Sequence, residues 1–247
     1  MFKDLEFLLK KIFFNEQYLY KKRLDRALKK NYEKELNIIN QFGNKQRSAV
    51  DVGVYRGVYS YKLSKEFKHV YGYEANPLIY PNLKKNLNKI IKNLTLKNFA
   101  VSNTSGTADL KIPKRSKSVF KDNYEELYQL GCASIHDKNI FEDFDLIKTK
   151  KIKLDDDLKG KNIGFIKIDV EGHEKEVIEG SKNLIKEFKP ILLVEIEERH
   201  TKKPVLNTIN FIKQFGYTPF YVIGKNLHNL QKLNNLNKEN NYIFIPK

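Results

Sequence analysis

Four short apolar runs, at 48–53 (SAVDVG), 69–74 (HVYGYE), 162–170 (NIGFIKIDV) and 190–198 (PILLVEIEE), each carry a carboxylate at or near their C-terminal end. Helical patterns lie between them: YSYKLSKEF after the first run, NPLIYPNLKKNLNKII after the second, EKEVIEGSKNLIKEF after the third. Runs of this length read as strands buried on both faces, and a helix between consecutive strands makes the connection a crossover. The expectation is therefore a parallel sheet covered on both sides by helices. Further strands are expected in LTLKNFAVS, KKIKLDDDL, YTPFYVIG and NYIFIPK, with GTADLKI as a β excursion and PVLNTINFIKQFG as a helix. Asn76 is expected to cap the second helix, with Pro77 at its first position.

Two segments fall outside that alternation. Residues 1–46 read as a helical appendage, with Phe2, Leu5, Leu8, Leu9, Ile12 and Phe13 at three-to-four spacing, able to cover the core, a cleft or a second copy of the chain. Residues 47–247 then form the α/β domain, interrupted at about 113–149 by an aperiodic stretch that reads as an irregular insertion or lid. Asp155, Asp156 and Asp157 suit a loop or a helix start rather than a ligand site.

With 247 residues, 40% hydrophobic and 31% charged, the chain suits one large folded domain with an appendage. The single Cys132 excludes an internal disulfide and reads as a small half-buried side chain. No run approaches the roughly 18–20 apolar residues of a membrane span, and a cytoplasmic protein is expected. The net charge of +16 invites a nucleic-acid reading. Yet the lysines are spread along the whole chain and accompany an excess of Asn, Ile, Tyr and Phe, the joint bias of A/T-rich codons. Nucleic acid is therefore not expected as the partner, and a homo-oligomer is compatible with the sequence.

The first strand ends in DVGVYRG, with Gly53 at the turn and Gly57 where the helix starts, and Glu74 closes the second strand. A carboxylate there can accept both ribose hydroxyls of a nucleoside. Tyr55 and Val58 occupy positions where a dinucleotide fingerprint needs glycine, so a pyrophosphate has no cradle. A nucleoside bearing a cationic sulfonium and amino-acid part fits instead, and the ordered set resembles the class I methyltransferases that use S-adenosylmethionine.

The stretch FIKIDVEGHEKEVIEG sharpens this. Together with DVG…G, YGYEANP, NFAVSNTSGTADL, CASI, IKLDDDL and PILLVEIEE, in that order, it resembles the FkbM family of S-adenosylmethionine-dependent methyltransferases. The resemblance covers about residues 48–198 and implies a doubly wound, seven-stranded, mostly parallel sheet. It also implies methyl transfer to a hydroxyl, usually of a sugar or polyketide-type product. Val54 and Tyr55 stand where most members carry Ala-Asn, which reshapes the methionine end of the site.

The cofactor set so implied is Asp51, Gly53, Tyr55, Gly57, Glu74, Ala75, Ala100, Val101 and Asp169, with Ala100 and Val101 against the adenine. A sugar hydroxyl is a poor nucleophile, so a base must take its proton during in-line attack on the methyl group. His173 and His200 are base candidates through their near-neutral pKa. Asp169 can act as base, orient the acceptor or hold the cofactor's amino group. Glu171 and Ser134 are candidates for substrate contact, with bracing of the turn and loop filler as their alternatives. Of the strand-end pair Glu195 and Glu197, Glu197 is expected to reach the substrate, and Glu174 belongs to the helix start. Asp169, Glu171, His173 and Glu197 lack a metal-ligand spacing, so no metal is expected. The acceptor is expected to be a nucleotide-activated sugar or a unit of surface polysaccharide of the capsular or lipopolysaccharide type. The alternatives are an RNA methyltransferase and a non-catalytic nucleoside-binding module.

Overall fold

A computed structural model describes residues 15–30, 33–113, 131–136, 143–230 and 239–247. Among these, the strands β1 (Ser48–Val52), β2 (Val70–Tyr73), β3 (Leu94–Lys97), β7 (Ile163–Ile168) and β8 (Ile191–Glu195) run parallel in the order β3-β2-β1-β7-β8. The antiparallel strands β11 (Asn241–Pro246), β9 (Tyr217–Ile223) and β10 (Asn226–Asn229) extend the sheet beyond β8. The expected doubly wound, mostly parallel sheet is thus present, with an eighth strand. That strand arises because Gly224, at φ 61°, closes a two-residue turn after β9 and returns the chain as a hairpin.

Every residue of β1 and β7 is buried, as two covered faces require. Alternate residues serve opposite layers. Val50, Val52, Ile166 and Ile168 meet Val177 and Ile178 from α5 (Glu174–Glu179), Ile185 from α6 (Lys182–Phe188) and Ile209 from α8 (Val205–Lys213). Ala49 and Phe165 face the other way, toward Leu63 of α2 (Val58–Glu66) and toward Ile38 and Ile39. Those two isoleucines come from short 3₁₀ turns at Lys34–Asn37 and Ile39–Phe42, so the chain before β1 supplies part of the core. Helix α1 (Glu16–Lys30) packs on α2 and α3 (Tyr80–Ile90), while the periodic residues Phe2 to Phe13 lie outside the described residues. Among the described residues no helix is long and apolar enough to cross a membrane.

Three segments depart from the sequence expectations, each for a local reason. Asn76 does receive the Leu78 N–H on its Oδ1, at 2.9 Å, but the residues after it form a turn and the α-helix begins at Tyr80. LTLKNFAVS breaks after β3, because Asn98 Nδ2 donates to the carbonyls of Glu74 and Ala75 and turns the chain across the end of β2. The remainder, β4 (Ala100–Val101), leaves for a second sheet with β5 (Gly106–Pro113) and β6 (Phe144–Ile152). Most of β6 faces solvent, so its end of the aperiodic stretch shows no apolar alternation to read. The helix after β7 divides at Gly180, where a Cβ would lie 2.0 Å from the Ser102 carbonyl oxygen.

Glu35 rides into the core beside Leu36 and is 2% exposed, and its Oε1 has no hydrogen-bond partner among the described residues. Burial pushes its carboxyl from the ordinary 4.5 up to about 7. The folded protein therefore holds this proton more tightly than the unfolded chain between those values. The stability Glu35 contributes is complete below about pH 4.5 and is lost as pH rises through about 7. Glu35→Gln, which stays neutral, is expected to gain in melting temperature over wild type at pH 8 and to lose that gain at pH 5. An advantage of equal size at both pH values would contradict the assignment.

Candidate active site

The chain order reverses between β1 and β7, and Val52 lies beside Ile168 at the C-terminal edge of that pair. Such switch points leave a crevice beyond the strand ends. Here it is a cavity of about 210 Å³, lined from Val52, Gly53 and Tyr55 after β1, Glu74 and Ala75 after β2, Asp169 to Glu171 after β7, and Glu195 ending β8. Gly53 brings the first turn against the second: at φ 84° its missing Cβ would stand 1.9 Å from the Asp169 carbonyl oxygen, and the Asp169 N–H donates to the Val52 carbonyl.

Glu74 ties the first two strand ends together. Its Oε2 accepts the Tyr55 N–H and its Oε1 the Asn76 N–H, both at 2.8 Å. Tyr55 holds a left-handed backbone, φ 49°, with the Arg56 guanidinium 4.9 Å from its ring centroid. Burial pushes the Glu74 carboxyl up to about 7. A carboxylate offers about four lone-pair sites, so two remain for ligand hydroxyls. Phe99, Ala100 and Val101, swung over by the break after β3, form an apolar wall of the same cavity.

Beneath the floor lies Lys167, inside an otherwise apolar strand and 5% exposed at its side chain. Its Nζ donates to Asp169 Oδ2 at 2.8 Å and to the Gly53 carbonyl at 3.2 Å, and stands 5.0 Å from the centre of the Tyr59 ring. Burial opposes the ammonium charge, but Asp169 and Asp51 outweigh it and hold Lys167 above its ordinary value. Asp51 is fully buried, accepts the Ser60 hydroxyl at 2.6 Å and is pushed up to about 6 by burial. It does not line the cavity, nor does Gly57, which faces the Leu87 side chain.

The strand-end pair divides opposite to the sequence expectation. Glu195 lines the cavity, its carboxyl raised by burial and by Asp169. Glu197 is not part of the lining but lies beside it, 11% exposed at its side chain and bonded to Glu195, and it accepts from Arg199 at 2.9 Å and from Asn240 at 3.1 Å, which β11 brings to it by docking beside β8.

His173 lines the cavity, with Nε2 2.9 Å from Ser102 Oγ and Nδ1 3.6 Å from Glu176 Oε2. His200 does not line it; its Nε2 sits 2.7 Å from Glu171 Oε2. Burial opposes its charge, yet the Glu171 bond prevails and raises its pKa. Glu171 lines the cavity at φ 54°, and its carbonyl accepts the Ser134 hydroxyl at 2.7 Å. Ser134 also accepts the His136 N–H and pairs with the Lys111 backbone, so it straps residues 131–136 over the turn and is not part of the lining. Glu174 accepts the Gly172 N–H at 2.9 Å and braces the same turn. Cys132 also lines the cavity, and burial pushes its thiol up to about 12. Asp169, Glu171, His173 and Glu197 do not converge as a metal-ligand set, since Glu171 holds His200 and Glu197 holds Arg199.

The sequence pattern does not announce Lys167, Glu33, Arg199 or the cavity position of Glu195, whereas NFAVS, with Phe99, supplies the expected wall. A lysine inside an apolar strand was the available signal for Lys167. Glu33 and Arg199 carried none, since they reach the cavity from segments flanking the strands.

The sequence matches the family described as the methyltransferase FkbM domain over residues 51–219. No curated protein matches the chain. Among solved structures, methyltransferase FkbM from Methylobacillus flagellatus KT is similar with a TM-score of 0.51 at 15% identity, covering 81% of this chain and 43% of that one. The chain thus spans less than half of that protein's length. An rRNA methylase from Streptococcus thermophilus gives a TM-score of 0.48 at 13% identity, covering 86% and 93% of the two chains. A putative methyltransferase from Streptococcus mutans in complex with SAH gives 0.45 at 14% identity, covering 85% and 94%. At these identities the likeness concerns the fold.

Proposed function

The chain belongs to the FkbM family of S-adenosylmethionine-dependent methyltransferases, and from that premise we propose that it methylates a hydroxyl of a sugar, either nucleotide-activated or within a surface polysaccharide. One observation carries this reading. In a chain of net charge +16, the cavity is lined by the acidic side chains of Glu33, Glu74, Asp169, Glu171 and Glu195, with Arg199 as the opposing guanidinium among the described residues. Such a lining suits a cationic cofactor and an uncharged sugar ring beside it, and disfavours phosphate inside the cavity, so the diphosphate of a nucleotide sugar would lie outside it and a nucleic-acid backbone would be held off.

The residues fit the cofactor, since Gly53 lets the turn after β1 close on the Asp169 backbone so that both line one cavity, and Glu74 retains acceptor capacity for ribose. When bound, S-adenosylmethionine supplies an electrophilic methyl group on a sulfonium centre. Glu74 would accept the ribose hydroxyls, Phe99 to Val101 would cover the adenine, and the acidic turn after β7 would neutralise the cation. Asp169 takes the acceptor's proton as the oxygen attacks, and the Lys167 ammonium fixes the carboxylate that receives it. Glu171 and Glu195 hold neighbouring sugar hydroxyls.

The test is incubation with methyl-labelled S-adenosylmethionine and a panel of nucleotide sugars, glycans and transfer RNA. Label is expected in a sugar as an ether. Label entering transfer RNA and no sugar would overturn the proposed substrate class.

A further inference from the structure

We propose that His136, His173 and Glu176 hold a divalent transition-metal ion at the edge of the cavity. His173 opens α5, and Glu176 stands one turn later on the same face. The strap tied down by Ser134 brings His136 beside them, its ring centroid 6.4 Å from that of His173. One donor atom from each of the three falls within 4.8 Å of the others.

His173 Nδ1 and Glu176 Oε2 stand 3.6 Å apart. An ion about 2.0–2.1 Å from two donors separates them by roughly 3.3 Å at a tetrahedral angle. That pair is therefore nearly set, and a ring nitrogen of His136 completes the set within 4.8 Å. Ser102 engages Nε2 of His173 and so turns Nδ1 toward the carboxylate, the kind of supporting contact that orients a ligating imidazole. Glu176 Oε2 is buried with no hydrogen-bond partner among the described residues, which an ion pair at 3.6 Å does not supply and a metal would.

Two imidazoles and one carboxylate select zinc or a neighbouring first-row ion over magnesium or calcium. Three protein ligands leave a position open. Of the three ligands His173 alone lines the cavity, and an open position turned to that side would let the ion lower the pKa of a coordinated hydroxyl before Asp169 takes its proton. This role rests on the methyl-transfer reading; the binding site does not.

The experiment uses untagged full-length protein stripped with a chelator and titrated with Zn²⁺ by calorimetry and with Co²⁺ by its visible ligand-field absorption. One saturable equivalent is expected, with a dissociation constant raised at least tenfold in both His136→Ala and Glu176→Gln. Absence of saturable binding, or binding unchanged in both variants, would overturn the site. S-adenosylhomocysteine binding, measured on the same stripped protein, separates the two readings: it is expected to persist without metal, and its loss would count against the cofactor cavity rather than against the ion.

Discussion

Asp169→Asn is expected to lower methyl transfer by about 10²- to 10⁴-fold, the usual weight of a positioned general base, while S-adenosylhomocysteine binding changes by no more than a few-fold. The substitution is close to isosteric, and the amide oxygen can still accept from the Lys167 ammonium now 2.8 Å from Asp169 Oδ2. What it removes is the ability to take a proton. The split between the two measurements separates the roles open to this residue. If Asp169 only held the cofactor's amino group, binding would fall and turnover at saturation would survive. A single-turnover rate within tenfold of wild type would show that the proton goes elsewhere.

Lys167→Met should destabilise the fold by about 3–5 kcal/mol, read from urea denaturation at pH 7.5. Methionine fills most of the same volume, so the loss comes from charge rather than packing. Replacing a whole buried ion pair by apolar groups is often neutral, whereas removing one partner strands the other. Lys167 serves the buried Asp51 and the Asp169 carboxylate together, so both would be stranded. Asp51 is already raised to about 6 by burial, and without the ammonium it would rise further. The folded variant would then bind its proton more tightly than the unfolded chain does. Its deficit should therefore shrink as pH falls toward 5, and Asp51→Asn in the same background should restore part of the loss at pH 7.5. A deficit below 1 kcal/mol that is flat with pH would show that the carboxylates do not depend on Lys167.

The architecture could be read wherever burial on two faces leaves a mostly apolar run, as in SAVDV and IGFIKI, each broken by one charged side chain. It was harder to read where one face is wet. The strand Phe144–Ile152 carries lysines on its solvent side and shows no alternation, and the hairpin at Gly224 depends on two residues. The split of NFAVS from the preceding strand follows from one side chain, Asn98, reaching two carbonyls more than twenty residues back, a contact that no local pattern reports.

The same distinction governs the site. Gly53, Glu74 and Asp169 stand at strand ends, and a parallel sheet brings its strand ends to one edge whatever else the chain does. Glu195 and Glu197 share a strand face by spacing and bond each other, yet only the docking of the last strand decides that Asn240 also holds Glu197 while Glu195 lines the cavity. His136 comes from the aperiodic stretch, so its meeting with His173 and Glu176 could not be anticipated from periodicity.

The most direct measurement of the central claim is a crystal structure with S-adenosylhomocysteine. The account predicts the ribose hydroxyls on the Glu74 carboxylate, the adenine against Phe99 to Val101, and the sulfur at the Gly53–Asp169 edge, facing Asp169. Ribose bound away from Glu74, or a sulfur turned away from Asp169, would contradict it.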